Sequence, residues 1–372
     1  MSYKKIQDVK DLKGKRVLVR ADYNVPVADG VVVDDYRIRK SLPTVEFLKN
    51  AGAKIILISH IESGSTLRPV FDNLQKHFRL TFCEDCLDDH AAIDEMKEGD
   101  VILCENVRLY SGEKTNDADF AKKLASLAGV YVNDAFPVSH RKHASVCRIT
   151  EFLPSYAGLL FQSEVEHLSI SFNPPHPFLF ILGGAKFDTK IPLIVKFIDR
   201  ADKVFVGGAL AHNFFKELGR EIGASFVSEG NFDLVKLYET GKIILPIDTV
   251  VEKNGERTAK RVAECEKTDV MLDNGPETLK EIEEAMKDAK FILWNGPLGN
   301  YESGYKEGTL KLATLIAESG AKTVVGGGDT LATIAELKIE DKFTFVSTAG
   351  GAMLDFLANG TLPGIECLDK GK

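Results

Sequence analysis

Short apolar segments rich in Val, Ile, Leu and Phe recur along the chain and alternate with segments of helical periodicity. Each segment is nearly continuous, which is typical of parallel strands buried on both faces of a sheet. In the first half the predicted strands are residues 16–19, 54–59, 80–83, 100–103 and 130–132. In the second half they are residues 178–182, 204–206, 243–245, 291–294, 323–325 and 343–346. The pattern predicts an α/β fold of two doubly wound, Rossmann-like lobes, each with a parallel sheet.

The segments between the strands carry recognisable helix ends. Asn116 is a predicted N-cap for the amphipathic segment 117–128, and Gly129 is the predicted end of that helix. Further helices are predicted to follow Gly275, Glu307 and Asp329.

A proline-rich stretch divides the two sets of strands. Residues 171–178, SFNPPHPF, contain three prolines and no helical period, which indicates a boundary between lobes. Residues 155–168 before it are predicted to form a connecting helix. We therefore expect a first lobe at 1–155, a connecting helix and hinge at 156–177, and a second lobe at 178–355.

Size and charge narrow the classes of protein. The chain has 372 residues, of which 44% are hydrophobic and 27% charged. At ~150 residues per domain, this length predicts two domains. A net charge of −8 leaves no domain-wide basic field, so nucleic acid and anionic membranes are not expected as partners. No apolar run reaches the ~20 residues of a membrane span, and the N-terminus lacks an apolar signal core. The prediction is a cytoplasmic protein.

Six cysteines in a chain of this length do not indicate a disulfide framework. Cys83 and Cys86 form one CxxC, and His90 follows, so three zinc ligands are conceivable. No second CxxC or HxxxH supplies the fourth ligand of a structural site. We therefore interpret Cys83 and Cys86 as two thiols at the end of a strand. A zinc-binding interaction module that uses Cys83, Cys86 and His90 is the alternative.

The residues after the first-half strands are polar and basic. Ligands of open parallel sheets bind beyond the carboxyl ends of the strands. The planar guanidinium of an arginine there can donate two hydrogen bonds to the phosphate or carboxylate of a small phosphorylated acid. Short polar side chains can bind its hydroxyl groups. His140 and His143 have metal-ligand spacing, but Arg141 and Lys142 between them favour an anion site. The residues concerned are Arg20, Asp22, Asn24, Ser59, His60, Glu105, Asn106, Arg108, Asn133, Asp134, His140 and Arg141.

The residues after the second-half strands are mostly glycine. Glycine lets the backbone approach a ligand closely, and a strand, glycine turn and helix together direct free N–H groups at an anion. A nucleotide polyphosphate is the predicted ligand. P-loop, protein-kinase and dinucleotide signatures are absent. The residues are Gly183, Gly184, Lys186, Gly207, Gly208, Asp248, Asn295, Gly296, Pro297, Gly326, Gly327, Gly328, Asp329, Gly350 and Gly351.

At these same positions the sequence resembles the phosphoglycerate kinase family. The segments that carry the resemblance run in order along nearly the whole chain: VRADYNVPV, DDYRIRKSLPT, LISH, CENVRLY, YVNDAF, SHRKHAS, ILGGAK, GGALAHNF, LDNGPET, WNGPLGNYE, VGGGDT and STAGGAM. The resemblance implies a substrate lobe, a nucleotide lobe and a C-terminal tail, residues 356–372, that returns to the first lobe. It implies phosphoryl transfer between an acyl phosphate of glycerate and ADP, by a monomer.

The resemblance also assigns site residues. The implied 3-phosphoglycerate positions are Asp22, Asn24, Arg37, His60, Arg108, His140 and Arg141. The implied nucleotide positions are Gly184, Lys186, Lys190, Gly207, Gly208, Asn295, Pro297, Glu302, Gly326, Gly327, Gly328, Asp329 and Thr330. Arg37, Lys186, Gly327 and Gly350 are the implied catalytic residues, and Asp329 would hold magnesium.

One departure concerns the substrate site. After the histidine the family usually reads SHxGRP, whereas this chain reads SHIESGSTLRP, with Glu62 and Ser63 in the Gly-Arg places. Losing one arginine-phosphate contact is expected to cost ~1.5–3 kcal/mol, a tenfold to hundredfold weakening. A family member with altered specificity and a non-catalytic nucleotide-binding homologue therefore remain alternatives.

Overall fold

The computed structural model describes residues 3–62, 66–88, 90–230, 232–253 and 255–370. The chain divides into two compact units. The first unit is Met1–Glu166 together with Asn359–Lys372, and the second is His167–Ala358.

The first unit contains a six-stranded parallel sheet, a separate two-stranded hairpin and several helices. Its strands are β1 (Arg16–Arg20), β2 (Val27–Ala28), β3 (Val31–Val32), β4 (Lys54–Ile58), β5 (Thr81–Cys83), β6 (Val101–Cys104), β7 (Val130–Asn133) and β8 (Ser155–Ala157). Its helices are α1 (Tyr36–Asn50), α2 (Arg68–Leu74), α3 (Ala91–Asp94), α4 (Ser111–Lys114), α5 (Ala118–Ser126) and α6 (Leu159–Ser169). The sheet order is β5-β6-β4-β1-β7-β8, and β2 and β3 pair as an antiparallel hairpin.

The second unit contains another six-stranded parallel sheet and a smaller antiparallel one. Its strands are β9 (Phe178–Leu182), β10 (Lys203–Val206), β11 (Ile243–Ile244), β12 (Asp248–Lys253), β13 (Glu256–Arg261), β14 (Met271–Asn274), β15 (Phe291–Asn295), β16 (Lys322–Gly326) and β17 (Phe345–Val346). Its helices are α7 (Phe187–Phe197), α8 (Ala209–Glu217), α9 (Leu234–Glu239), α10 (Pro276–Met286), α11 (Glu307–Glu318), α12 (Gly328–Leu337) and α13 (Gly351–Asn359). The parallel order is β11-β10-β9-β15-β16-β17, and β13-β12-β14 form the antiparallel sheet. The last helix, α14 (Pro363–Lys370), belongs to the first unit.

The predicted α/β fold with two parallel sheets is confirmed. Central strands are buried on both faces, as their continuous apolar sequences require: every residue of β9 and of β15 is buried. Each of the five predicted first-half segments and each of the six predicted second-half segments coincides with an observed strand to within two residues.

Two local predictions were wrong. Asp117, not Asn116, is the N-cap of α5: its side chain accepts a hydrogen bond from the Phe120 amide, whereas Asn116 has a φ of +57°. Residues 155–157, predicted as helix, form edge strand β8 beside β7. The division between the units lies inside α6, within the segment 156–177 that is the predicted connecting helix and hinge.

No helix in the described parts of the chain has the length and apolar character that crossing a bilayer requires.

Candidate functional site

The polar strand ends of the first unit lie side by side. Strands β6, β4, β1 and β7 are consecutive in the sheet and parallel, so the residues after each strand meet at one edge. We call this group of polar side chains the basic surface. Its members follow β1, β4, β6 and β7 or lie on α1. The basic surface comprises Asp22, Asn24, Arg37, His60, Arg108, His140, Arg141 and His143.

Helix α1 places Arg37 against the end of β1. Its Nη1 lies 3.2 Å from Asp22 Oδ2 and donates a 2.9 Å hydrogen bond to the Asn24 carbonyl. The Asp22 side chain is 2% exposed and that of Arg37 is 25% exposed. The guanidinium is therefore oriented by two fixed acceptors and keeps an accessible edge, a suitable arrangement for an anion.

A buried network supports the basic surface from beneath. Arg20 is fully buried and donates from Nε to Ser145 Oγ at 2.9 Å, while its Nη2 lies 2.9 Å from His60 Nδ1. Ser145 in turn donates to Glu113 Oε1 at 2.7 Å. Burial, together with the nearby charges of Arg20, Arg108 and Arg37, holds the pKa of His60 well below its usual range. His60 is thus neutral and its Nδ1 accepts from Arg20.

Sequence reasoning missed Glu113 and Ser145 in this network. Both are buried. Ser145 ends the segment SHRKHAS, but no role was assigned to it, and Glu113 lies in none of the quoted segments. Only the fold brings Ser145 to Arg20, 125 residues away along the chain.

Arg108 and Arg141 form the outer part of the basic surface, and both face a carboxylate. Arg108 Nη1 pairs with Glu62 Oε1, and Arg141 Nη1 lies 4.0 Å from the same oxygen. The hydrogen bond from Arg108 is the main cause of the lowered pKa of Glu62. Glu62 is described, but its neighbour Ser63 in the divergent loop lies outside the described residues.

His140 and His143, in the loop after β7, differ in role. Arg141 Nε lies 3.2 Å from His140 Nε2, so His140 positions that arginine. His143 Nδ1 lies 3.7 Å from Glu113 Oε1, too far for a hydrogen bond. Burial and the charges of Arg108 and Arg141 lower the pKa of His143 to about 4, so it adds no charge at neutral pH.

The glycine-rich strand ends of the second unit enclose a cavity of about 680 Å³, within the range of small-molecule sites. Most predicted nucleotide residues line it, as does Gly350. The lining residues from that prediction are Gly184, Lys186, Lys190, Gly208, Asn295, Pro297, Glu302, Gly327, Gly328 and Asp329.

Gly207, Gly326 and Thr330 do not line the cavity but support its wall. A Cβ on Gly326 would lie 2.4 Å from Met353 Sδ, and one on Gly207 would lie 2.9 Å from a Leu298 methyl group. Thr330 is fully buried, and its Oγ1 accepts a 3.1 Å hydrogen bond from the Gly296 amide. These three residues hold the backbone of their neighbours in place.

One end of the cavity is suited to phosphate. Gly327 has a φ of +114°, a conformation that L side chains rarely adopt, and the α12 helix begins directly after it. A Cβ on Gly350 would be 4.0 Å from the Gly327 Cα and the Gly328 nitrogen, so two glycine turns meet there. The free N–H groups at the start of α12 therefore point into a space that small residues keep open.

Two lysines flank this end. Lys190 is 5% exposed, and its Nζ donates a 2.5 Å hydrogen bond to the Gly183 carbonyl. Burial and the charge of Lys186 lower the pKa of Lys190 to about 8. Lys186 is exposed at the N-cap of α7. Asp329, half-buried, has its pKa raised by burial and by Glu302.

Sequence reasoning missed the apolar wall of the cavity. It comes from α8 and from the region of the antiparallel sheet, neither of which the glycine pattern marks. The residues are Ala211, Phe215, Phe226, Pro246, Val270, Met271 and Leu272. Apolar surface opposite a phosphate-binding end suits the base and sugar of a nucleotide.

Asp248, which the sequence placed among the ligand-facing strand ends, has a structural role instead. Its Oδ1 accepts from the Thr278 amide at 2.7 Å and its Oδ2 from the Glu277 amide at 2.9 Å. It therefore satisfies the first amides of α10.

The candidate zinc residues make other contacts. His90 Nε2 lies 3.1 Å from the Leu87 carbonyl, and a hydrogen bond between Cys86 and Cys104 raises the pKa of the Cys104 thiol. Within the described ranges no group of three or more His, Cys, Asp or Glu side chains is placed to hold a metal ion.

Comparison with known proteins agrees with this geometry. The family model described as phosphoglycerate kinase matches residues 6–360. The chain is 44% identical to the phosphoglycerate kinase of Dictyoglomus turgidum and 41% identical to that of Coprothermobacter proteolyticus, with 99% of each chain covered in both cases.

Solved structures give the same result for the fold. A phosphoglycerate kinase from Coxiella burnetii superposes with a TM-score of 0.86 at 34% identity, over 100% of both chains. One from Pyrococcus horikoshii gives a TM-score of 0.85 at 28% identity, over 98% of both chains. With the sequence model, the full-length relatives and the two-unit architecture in agreement, this chain belongs to the phosphoglycerate kinase family.

Proposed function

We propose that this chain catalyses reversible phosphoryl transfer between 1,3-bisphosphoglycerate and ADP, forming 3-phosphoglycerate and ATP. The observation that carries the proposal is the separation of chemistry between the units. One unit has an arginine-rich surface for a small anion, and the other has a glycine-lined cavity of about 680 Å³ for a nucleotide.

The glycerate ligand is assigned to the basic surface. Arg108 and Arg141 bind its phosphate, and Asp22 and Asn24 are close enough to Arg37 to orient the hydroxyl and carboxylate groups at its other end. His60, held neutral by burial, offers a hydrogen-bond partner without adding charge. His140 orients Arg141.

The nucleotide is assigned to the cavity. Its phosphates lie at the N-terminus of α12, near Lys186, Lys190 and Gly350, and its base and sugar lie against the apolar wall. Glu302, which is exposed at the rim, is assigned to the ribose.

Magnesium fits this site as a metal brought with the nucleotide. Asp329 is a half-buried carboxylate beside the phosphate end, and no described cluster could hold a metal without further ligands. Mg²⁺ commonly takes one or two protein carboxylates and completes its shell with substrate phosphates and water. When bound, the ion would neutralise phosphate oxygens.

The reaction requires no general base. The glycerate carboxylate is already ionised at neutral pH and attacks phosphorus directly, in line and without a covalent enzyme intermediate. The protein's task is to stabilise charge on the transferred group. We assign it to Lys186, Arg37 and the backbone N–H groups at Gly327 and Gly350.

We further propose a cytoplasmic monomer that uses only small-molecule substrates. The described residues contain no disulfide between any of the six cysteines, in keeping with a reducing compartment.

A coupled assay tests the function. Pure protein with ATP, magnesium and 3-phosphoglycerate should turn over when 1,3-bisphosphoglycerate is removed by an NADH-dependent reductase. No turnover, with calorimetric binding of Mg-ADP retained, would favour the non-catalytic homologue. Turnover only at unusually high 3-phosphoglycerate concentration would favour the member with altered specificity.

A further inference from the structure

Among the described residues, three carboxylates lie within 4.0 Å of a cationic or histidine nitrogen of the basic surface: Asp22, Glu62 and Glu113. Asp22 and Glu113 are 2% and 0% exposed and hold Arg37 and Ser145 in place. Glu62 is different because its side chain is 56% exposed. It is the carboxylate of the three that a ligand could displace without opening the core.

The backbone at Glu62 is anchored on both sides. The Glu62 amide donates to Asn24 Oδ1 at 2.9 Å, and Asn106 Nδ2 donates to the Ile61 carbonyl at 3.0 Å. Both asparagines belong to the strand ends that form the basic surface. The Glu62 carboxylate is therefore held at the site by the fold, and it can leave only by rotation of its own side chain.

The carboxylate contacts the outer arginines. It pairs with Arg108, whose side chain is 8% exposed, and lies 4.0 Å from Arg141 Nη1. A buried guanidinium needs an anionic partner, and Glu62 provides it here. Arg108 cannot give the same N–H group to a second anion while this pair persists.

We propose that Glu62 is a specificity-determining residue that occupies, in the free protein, the position of the substrate's phosphate between Arg108 and Arg141. The inference rests on the proposed function, since it concerns the same glycerate site. A phosphate must displace the Glu62 side chain in order to bind. The phosphate carries more charge than the Glu62 carboxylate and has three acceptor oxygens, enough to bind both arginines. The carboxylate pairs closely with Arg108 alone. Glu62 therefore lowers the affinity of the site for every phosphorylated ligand.

The test compares Glu62→Gln with wild type by calorimetry, using 3-phosphoglycerate without nucleotide. Glutamine keeps the size of the side chain but removes the competing charge. The dissociation constant should fall about threefold to tenfold, the range for a partly exposed ion pair with one buried partner. In the coupled assay KM for 3-phosphoglycerate should fall by a similar factor, with kcat changed less than twofold. Inorganic sulfate should also inhibit the variant at lower concentration.

Glu151→Gln is the matched control. It breaks the Arg148–Glu151 pair, whose carboxylate is 57% exposed and lies in the same unit away from the basic surface. Its affinity for 3-phosphoglycerate should equal that of wild type.

The outcomes separate the two ideas. Tighter binding by Glu62→Gln alone supports the inference. Equal or weaker binding, with turnover intact, overturns it and means that Glu62 only positions Arg108. If neither protein binds or converts 3-phosphoglycerate, both the inference and the proposed function fail.

Discussion

At the scale of single residues, surroundings rather than residue type set the role of each charged group. Lys186 and Lys190 lie four residues apart on α7, yet only Lys190 is buried and engaged with a backbone carbonyl. Lys190 therefore holds the Gly183 turn, and Lys186 is the exposed lysine of the cavity lining. Arg20 and Arg37 differ in the same way, since Arg20 is fully buried beneath the site and Arg37 keeps an accessible edge.

Replacing Lys186 should test this difference. Lys186→Ala is expected to lower kcat about 100-fold or more, because it removes a charge that stabilises the transferred group. The melting temperature should be unchanged, since the side chain is exposed. Steady-state kinetics and thermal unfolding measure the two quantities. Lys236→Ala, an exposed lysine of the same unit outside the cavity, is the control, and equal kcat values for both variants would refute the role of Lys186.

At the scale of elements, the start of α6 is held by groups distant in sequence. Thr44 Oγ1 accepts from the Leu159 amide at 3.0 Å, and Asp134 Oδ1 accepts from the Leu160 and Phe161 amides at 3.0 and 3.2 Å. A Cβ on Gly158 would lie 2.2 Å from Asp134 Oδ1, so only glycine there lets the carboxylate approach. Burial raises the pKa of Asp134 to about 7.

This raised pKa predicts a pH-dependent stability. The folded state keeps a proton on Asp134 up to about pH 7, whereas the unfolded chain loses it near 3.8. The stabilisation is therefore fully present below pH 3.8 and is lost as pH rises through 7, at most about 1.4 kcal/mol per pH unit. Denaturant unfolding at pH 5, 6, 7 and 8 should show wild type losing stability relative to Asp134→Asn up to about pH 7, with little change beyond.

Asp117→Asn provides the comparison. Asp117 also caps a helix, α5, but on the exposed surface, where its carboxylate is hydrated in both the folded and the unfolded chain. Its stability difference from wild type should vary far less between pH 5 and 8. A parallel pH dependence in the two variants would show that burial of Asp134 is not the cause.

At the scale of the whole molecule, the two halves of the proposed reaction belong to different compact units. The basic surface lies in the first unit and the glycine-lined cavity in the second. We propose that the reaction takes place only when both ligands are enclosed together, which would also keep water away from an acyl phosphate. The predicted connecting helix and hinge, residues 156–177, is where we expect the chain to bend.

Closure predicts a ligand-dependent change of size. Small-angle scattering should show a smaller radius of gyration with 3-phosphoglycerate and a non-hydrolysable Mg-ATP analogue together than with either ligand alone. Each ligand alone serves as the control for local ordering. An identical scattering curve in all four states, at concentrations shown by calorimetry to saturate both sites, would rule out domain closure.

The sequence predicted the parallel sheets well because strands buried on both faces are almost wholly apolar, as in β9 and β15. It missed β13 because a strand at the exposed edge of an antiparallel sheet tolerates charge: all but one residue of β13 are exposed. The glycines and arginines at strand ends were visible from the sequence. The roles of Glu113, Ser145 and the apolar wall of the cavity were not, because those roles depend on contacts between residues far apart in the chain.

The sequence by itself determined the alternation of buried strands and helices, the two classes of strand end, and the family. Such features depend on local composition and order, which are readable without distances. Only the tertiary structure decided which charges pair: Glu62 with Arg108, Asp134 with the amides of α6, and Lys190 with Gly183. Burial and approach within hydrogen-bond distance arise from packing between residues far apart in the chain, and they set each group's ionisation and freedom to bind a ligand.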